Sequence, residues 1–246
     1  MILKNKNILI TGAGKGIGES TIHSLVANGA FVYALIKDKK DNKKFKGIKN
    51  LKIYNGKVEN KKLIIRILND SKKKNRLING LVNNAGIRFR KNFLKIKRKE
   101  LNKIFEVNFF SIFSTMQVFS DFLIKNKIKG SIVNLASIVG QIGFEELSAY
   151  ASTKGALISL TKSFATEMSK HGIRANTISP GFTKTSFYKN FKKNKKQLYS
   201  WTLSRIPMKR WGEPTEISDL IAFILSEKSS YLNAENINVD GGWLNS

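Results

Sequence analysis

A chain of 246 residues, 41% hydrophobic and 10% aromatic, carries enough apolar material for one sizeable core. It contains no cysteine, which excludes disulfides, thiolate catalysis and cysteine-ligated metals, and its two histidines, His23 and His171, fall in different predicted helices, which argues against metal ligation. A formal charge of +27, from 44 Lys and Arg against 17 Asp and Glu, raises nucleic acid or an acidic membrane as a partner. That charge is diffuse, however: it is mostly lysine in company with abundant Asn and Ile, the composition that AT-rich coding DNA produces.

In chain order, short apolar runs alternate with amphipathic stretches, the pattern of repeated βαβ units and a parallel sheet. The opening "MILKNKNILITG" lacks a signal peptide's apolar region and cleavage site. Strands are expected at 7–11, 31–36, 51–55, 78–83, 131–136, 173–179 and 235–239, with helices between them. Their nearly continuous apolar character suits a sheet covered on both faces. The clearest helix is 214–226, where Pro214 fits a first helical position and Ile217, Leu220, Ile221, Ile224 and Leu225 form one stripe. The three prolines are scattered, no Gly/Ser tract intervenes and no repeat recurs, so residues 1–246 are expected to form a single domain. No window approaches the roughly 18 consecutive apolar residues of a membrane span, and the expected location is the cytoplasm.

The first strand runs directly into "TGAGKGIG", with Gly12, Gly16 and Gly18 opening a helix. Glycine suits that junction because the backbone must turn tightly and approach a phosphate, while free N–H groups and the helix dipole face the anion. In "SAYASTK", Tyr150 and Lys154 stand four apart, so a helix presents both on one face. An unperturbed tyrosine titrates near ~10, and a neighbouring cation favours its phenolate. Taken singly, each of these residues has an ordinary structural explanation: a surface aromatic, a solvated lysine, a turn.

The glycine loop in its G-x-x-x-G-x-G spacing, "NNAG" (83–86), Asn108, Ser137, Tyr150, Lys154 and "SPGFTKT" (179–185) together resemble the short-chain dehydrogenase/reductase family over essentially the whole chain. Within it, "GSIVNLAS", "YASTKGAL", "GIRANTISPGFTKT" and "NVDGGW" are most similar to the 3-oxoacyl-[acyl-carrier-protein] reductases. The resemblance implies a Rossmann-like, doubly wound parallel sheet of about seven strands with helices on both faces. It implies a catalytic set in which Tyr150 is the general acid, Lys154 lowers its pKa and holds the nicotinamide ribose, Ser137 orients the carbonyl oxygen and Asn108 holds a relay water. It also implies cofactor contacts from Gly12, Lys15, Gly16, Ile17, Gly18, Lys37, Val58, Asn83, Ala85, Gly86, Tyr150, Lys154, Pro180, Gly181, Thr183 and Thr185.

The cofactor expected is NADP(H) rather than NAD(H). The position that carries an acid in NAD-dependent members is Ile36, followed by Lys37, and Lys15 in the glycine loop resembles the basic residue of NADP-dependent members. The aspartate that members usually place at the adenine is replaced by Lys57, which cannot accept a hydrogen bond. The stretch 186–210 reads as a substrate lid in which Phe187, Tyr188, Phe191 and Trp201 close over an acyl chain. Lys129, Lys170 and His171 lie near the docking residues of carrier-protein reductases.

The leading expectation is NADPH-dependent reduction of a 3-oxoacyl thioester on acyl carrier protein in fatty acid biosynthesis. The enzymatic alternative is a sugar, polyol or other small ketone or alcohol. A basic nucleic-acid-binding protein is the non-enzymatic alternative, raised by the runs at 37–50 and 188–205, the second with aromatics between its lysines. The family also implies a homodimer or homotetramer, with Phe109, Phe110, Ile112, Phe113 and Phe164 as surplus apolar positions.

Overall fold

The computed structural model describes residues 1–185 and 188–245. Seven strands form one parallel sheet: β1 (Asn7–Thr11), β2 (Phe31–Ile36), β3 (Leu51–Asn55), β4 (Gly80–Asn83), β5 (Gly130–Leu135), β6 (Ile173–Pro180) and β7 (Asn236–Val239). Their order is β3-β2-β1-β4-β5-β6-β7. The chain therefore winds outward from β1 to one edge, returns, and winds from β4 to the other. This reversal opens a crevice at the carboxyl ends of β1 and β4, where doubly wound sheets bind their ligands. The register aligns Thr11 with Asn83 and Asn83 with Asn134, so the loops after β1, β4 and β5 emerge side by side.

Alternation along the strands sends apolar side chains to both faces. Leu9, Tyr33, Leu35, Leu81 and Ile132 face α2 (Lys61–Lys73), α4 (Ser111–Lys125) and α5 (Ser148–Met168), where Ile64, Ile67, Ile112, Met116, Phe119 and Leu157 are buried. Ile8, Ile10, Val32, Ala34, Val82 and Val133 face α1 (Gly16–Ala27) and α8 (Pro214–Leu225), represented by Ile22, Leu25, Ile217, Ile221 and Ile224. Burying each such side chain contributes roughly 1.5–3 kcal/mol, which holds the sheet between its two layers of helices. The first three strands form at the expected bounds and the other four with ends shifted by one or two residues.

The long helix expected over 98–125 is interrupted. After α3 (Arg98–Phe105) the chain widens into a π-turn, Glu106–Phe110, before α4 begins, and Asn108 lies in that turn, buried. By length and composition the 28-residue helix Arg98–Lys125 is apolar enough to cross a membrane, which a count of uninterrupted apolar residues did not register. Of its most apolar window, 56% is buried within the fold, where it serves as a core helix.

Within 186–210, the stretch expected to act as a substrate lid, the chain folds into α6 (Tyr188–Asn194) and α7 (Lys196–Arg205); Ser186 and Phe187 lie outside the described residues. Tyr188, Phe191 and Tyr199 surround the fully buried Trp211, with ring centroids at 5.1, 5.2 and 5.5 Å. Trp201 instead stacks edge-on against Trp243 and Phe144, at 5.5 and 5.8 Å. Most of these aromatics thus form a small third core of their own.

Candidate active site

At the end of β1, Gly12 takes φ +65°, and a Cβ there would stand 2.6 Å from the Ala85 Cα. Only a glycine lets the loop after β1 touch the loop after β4 this closely. The contact is fastened by Asn84 Nδ2, which donates to the Gly12 carbonyl at 2.8 Å, and by the Ala85 N–H, which donates to the Thr11 hydroxyl at 3.2 Å.

A second close approach builds the other side. Ser137 follows β5 and caps a single turn, Ile138–Gly140, that lies directly on α5. A Cβ on Gly140 would stand 2.8 Å from the Lys154 carbonyl carbon, and one on Gly155 would stand 3.1 Å from the Gly140 oxygen. Two glycines in contact therefore bring Ser137 over the helical face that carries Tyr150 and Lys154.

Lys154 is buried, 4% exposed, and its ammonium donates to the Leu135 carbonyl at 2.6 Å. Burial disfavours its charge and pulls its pKa down to about 8. The Tyr150 hydroxyl is pushed above its usual value by burial, against which the Arg88 guanidinium and a hydrogen bond from Ser137 work to lower it. Lys154 Nζ lies 5.7 Å from the centre of the Tyr150 ring.

The Asn108 Oδ1 accepts from the Ile87 N–H at 2.8 Å, and its Nδ2 donates to the Ile87 carbonyl at 2.9 Å and to the Thr153 hydroxyl at 3.2 Å. A side chain so engaged clamps the loop after β4 to α5.

These parts enclose a cavity of about 470 Å³. It is lined by Gly12, Lys15, Gly16, Ile17, Ala85, Gly86, Ser137, Tyr150, Lys154, Pro180, Gly181, Thr183 and Thr185, all named from the sequence. Gly18, Lys37, Val58 and Asn83 do not line it. Gly18 packs beneath the glycine loop, against Gly12 and Asn84. Lys37 is exposed beyond β2, and Val58 is buried in the core on the α2 side. Asn83 turns inward: its Nδ2 donates to Asn134 Oδ1 at 2.8 Å, and Asn134 in turn donates to Thr161 at 2.8 Å. The cavity position belongs to its neighbour Asn84.

Other lining residues had no signal of their own in the sequence. Val139, Phe144, Leu147 and Phe182 form an apolar wall, and Arg88 stands on the rim by Tyr150. Lys15, on the cofactor side, lies 3.7 Å from an Asp38 oxygen and 3.5 Å from an Asp41 oxygen.

The cavity fits a dinucleotide. Free N–H groups at the start of α1 face it, small residues leave the backbone bare along one side, and it lies at the β1/β4 switch point. The sequence pattern of the family described as Enoyl-(Acyl carrier protein) reductase matches residues 12–244. The chain belongs to the short-chain dehydrogenase/reductase family. As a short-chain dehydrogenase/reductase it is an oxidoreductase. It is 33% identical to the 3-oxoacyl-[acyl-carrier-protein] reductase FabG of Thermotoga maritima, over 98% of this chain and 99% of that protein. Among solved structures it superimposes on a provisionally assigned gluconate dehydrogenase from Agrobacterium tumefaciens with a TM-score of 0.92 and 27% identity, covering 99% and 98% of the two chains. The solved structure of ElxO with NADP bound gives 0.91 and 29%, covering 98% and 99%.

Proposed function

We propose that this enzyme reduces a carbonyl compound with NADPH, using Tyr150 as proton donor. The observation that carries the reading is the joint placement of Ser137, Tyr150 and Lys154 on one cavity wall opposite a backbone-lined dinucleotide groove. Pro180, Gly181, Thr183 and Thr185 would hold the nicotinamide, whose chemistry when bound would be hydride transfer. Tyr150 keeps its proton at neutral pH because burial raises its pKa, and it gives that proton to the carbonyl oxygen. Ser137 orients that oxygen, and Lys154, fixed by the Leu135 carbonyl, places its remaining donors toward the ribose. Asn108 is a positioning residue that holds the loop after β4 in place.

NADPH is favoured by Lys15 on the cavity wall, by the absence of an acid at Ile36 and by the NADP bound to a similar structure. A 3-oxoacyl thioester on acyl carrier protein is the first substrate to test, on the strength of the likeness to FabG. A sugar acid or polyol comes second, on the strength of the gluconate dehydrogenase neighbour. The folded segment 188–205 serves as the lid, and the enzyme works as a dimer or tetramer.

The test follows nicotinamide absorbance as the protein meets an acetoacetyl thioester with NADPH or NADH. NADPH-selective oxidation supports the reading. Binding of NADPH with no oxidation by any carbonyl compound in a broad panel sinks it.

A further inference from the structure

We propose that the loop tip Phe93–Leu94, with the cations that follow it, docks this protein on the surface of an anionic lipid bilayer. The proposal stands apart from the carbonyl-reduction reading, and its test needs no turnover. The exposure of two adjacent large apolar side chains is the first observation: Phe93 is 73% exposed and Leu94 90%. Single exposed apolar residues are ordinary on a protein surface, but a contiguous pair at the end of a loop marks a surface that something covers.

The tip is held in shape by its own backbone. Asn92 caps the turn Phe93–Lys95 by accepting from the Leu94 N–H at 3.2 Å, and the Lys95 and Ile96 N–H groups donate to the Asn92 and Phe93 carbonyls at 3.0 and 3.2 Å. The base is fastened on either side. The Lys91 N–H donates to the Glu146 carbonyl at 2.9 Å, and the Lys97 N–H donates to Glu100 Oε2 at 2.9 Å. A turn fixed in this way keeps both apolar side chains outside, against the tendency of the hydrophobic effect to fold them inward.

Charge complementarity selects the occupant. The stretch "KNFLKIKRK" (91–99) holds five cations and no acid. Glu100 is engaged by Lys91 at 2.8 Å and Glu146 by Arg90 at 2.7 Å, while Lys95, Lys97 and Lys99 are exposed and bridge to no carboxylate among the described residues. An apolar tip beside such lysines lets a peripheral protein sink side chains below the lipid headgroups while its cations meet the headgroup phosphates. A second copy of the chain is the poorer occupant, since a two-fold contact would bring each lysine cluster onto its own mate. A polynucleotide has no use for an aliphatic Leu94, because its bases stack on aromatic faces. The loop that carries the tip begins at Ile87, which lines the cavity, and is tied through Glu146 to the segment that carries Phe144 and Leu147. Docking there brings the substrate end close to the bilayer, where carbonyl compounds of low polarity partition.

The experiment measures co-sedimentation of the full chain with vesicles of phosphatidylcholine alone and of phosphatidylcholine mixed with an equal part of phosphatidylglycerol. Wild type is compared with Phe93→Ser plus Leu94→Ser, and with Lys95→Gln plus Lys97→Gln plus Lys99→Gln. A charge-matched control, Lys39→Gln plus Lys43→Gln plus Lys46→Gln, removes three exposed lysines at the turn after β2. The expected result is binding to the anionic vesicles only, weakened by salt, weakened about tenfold or more by either tip variant and much less by the control. Because the chain has no cysteine of its own, Leu94→Cys carries a single environment-sensitive dye, whose emission shifts to the blue on anionic vesicles. The same dye on Tyr231→Cys, at a fully exposed position, stays in water. Equal loss in the tip and control lysine variants, or binding that survives the loss of Phe93 and Leu94, overturns the proposal and leaves only diffuse attraction of charge. A serine variant that still binds vesicles but dissociates in light scattering overturns it too, and makes the tip a contact between copies of the chain. A wild type that stays in solution with anionic vesicles overturns it outright.

Discussion

The two ends of the cavity are built from different materials. At the cofactor end, Gly12, Gly16, Ala85, Gly86 and Gly181 present backbone and almost no side chain, and at Gly12 and Gly181 a Cβ would stand 2.6 and 2.8 Å from backbone atoms of Ala85 and Asp240. At the substrate end, Val139, Phe144, Leu147, Phe182 and Arg88 present side chains, backed by the aromatic stack around Trp243 and Trp201. The first end is set by how the strands and helices cross, so it is shared wherever the fold is shared. The second is set by residues that can be exchanged without moving the backbone, so the substrate is chosen there.

The largest effect is expected where the two ends meet. Tyr150→Phe removes the proton donor and keeps the ring, so turnover falls by about 10²–10⁴-fold. NADPH binding, measured by fluorescence titration, changes little, because the groove opposite is built from backbone. A mutant that loses cofactor affinity as steeply as turnover would show that the two ends are not separable at this residue.

Gly140→Ala and Phe144→Leu set one end against the other directly. The new methyl group at residue 140 would stand 2.8 Å from the Lys154 carbonyl carbon, which pushes the Ser137 turn off α5. Overpacking of this kind costs about 1–3 kcal/mol of stability, readable in urea denaturation, and a displacement near 1 Å costs turnover about 10²-fold. Phe144→Leu, by contrast, leaves stability within about 1.5 kcal/mol of the parent and alters which carbonyl compounds are turned over. If both variants lose stability alike, the substrate wall is as much a part of the scaffold as the glycine contact.

The fall of activity with pH separates the two titrating groups. Lys154 is charged below about 8, so the contact it makes as a cation is present below that pH and fades as pH rises through it. Tyr150 is held above its usual value and stays protonated across the same range. A descending limb near pH 8 in kcat/KM for reduction is expected, and it reports Lys154. Stability moves the other way: a lysine with a depressed folded pKa carries its burial cost at pH 8 and below, and sheds it as pH rises toward the unfolded value near ~10.4. A flat profile from pH 7 to 9 would mean that the neutral amine serves equally well.

The fold was legible because strands buried on both faces read as unbroken apolar runs, and Tyr150 and Lys154 were legible because a helix is the only element that brings residues four apart together. The same unbroken runs hid which way each strand residue points. Asn83 was placed at the cofactor with the rest of NNAG by resemblance, whereas its side chain lies in the interior with Asn134. Arg88 was invisible for a different reason: one cation among 44 carries no signal until its neighbour is known. The aromatics of α6 and α7 were read as closing over an acyl chain, and their packing was hidden because Trp211 and Trp243, on which Phe191 and Trp201 rest, are distant in sequence.

The smallest effect concerns Lys15, whose reading depended on neighbours that lie across a turn, Lys39–Phe45, and so could not be read by position. Asp41 is buried beneath the glycine loop, while Asp38 is exposed and 3.7 Å from Lys15. An exposed pair of this kind is worth about 0.2–1 kcal/mol. Asp38→Ala frees Lys15 from one carboxylate, and the ratio of kcat/KM for NADPH over NADH should rise by a few-fold. The sign of the change is the informative part. A rise means that Asp38 only dilutes the charge offered to a 2′-phosphate. A fall means that Asp38 itself reaches a ribose hydroxyl, and the cofactor end then owes its selectivity to a side chain after all.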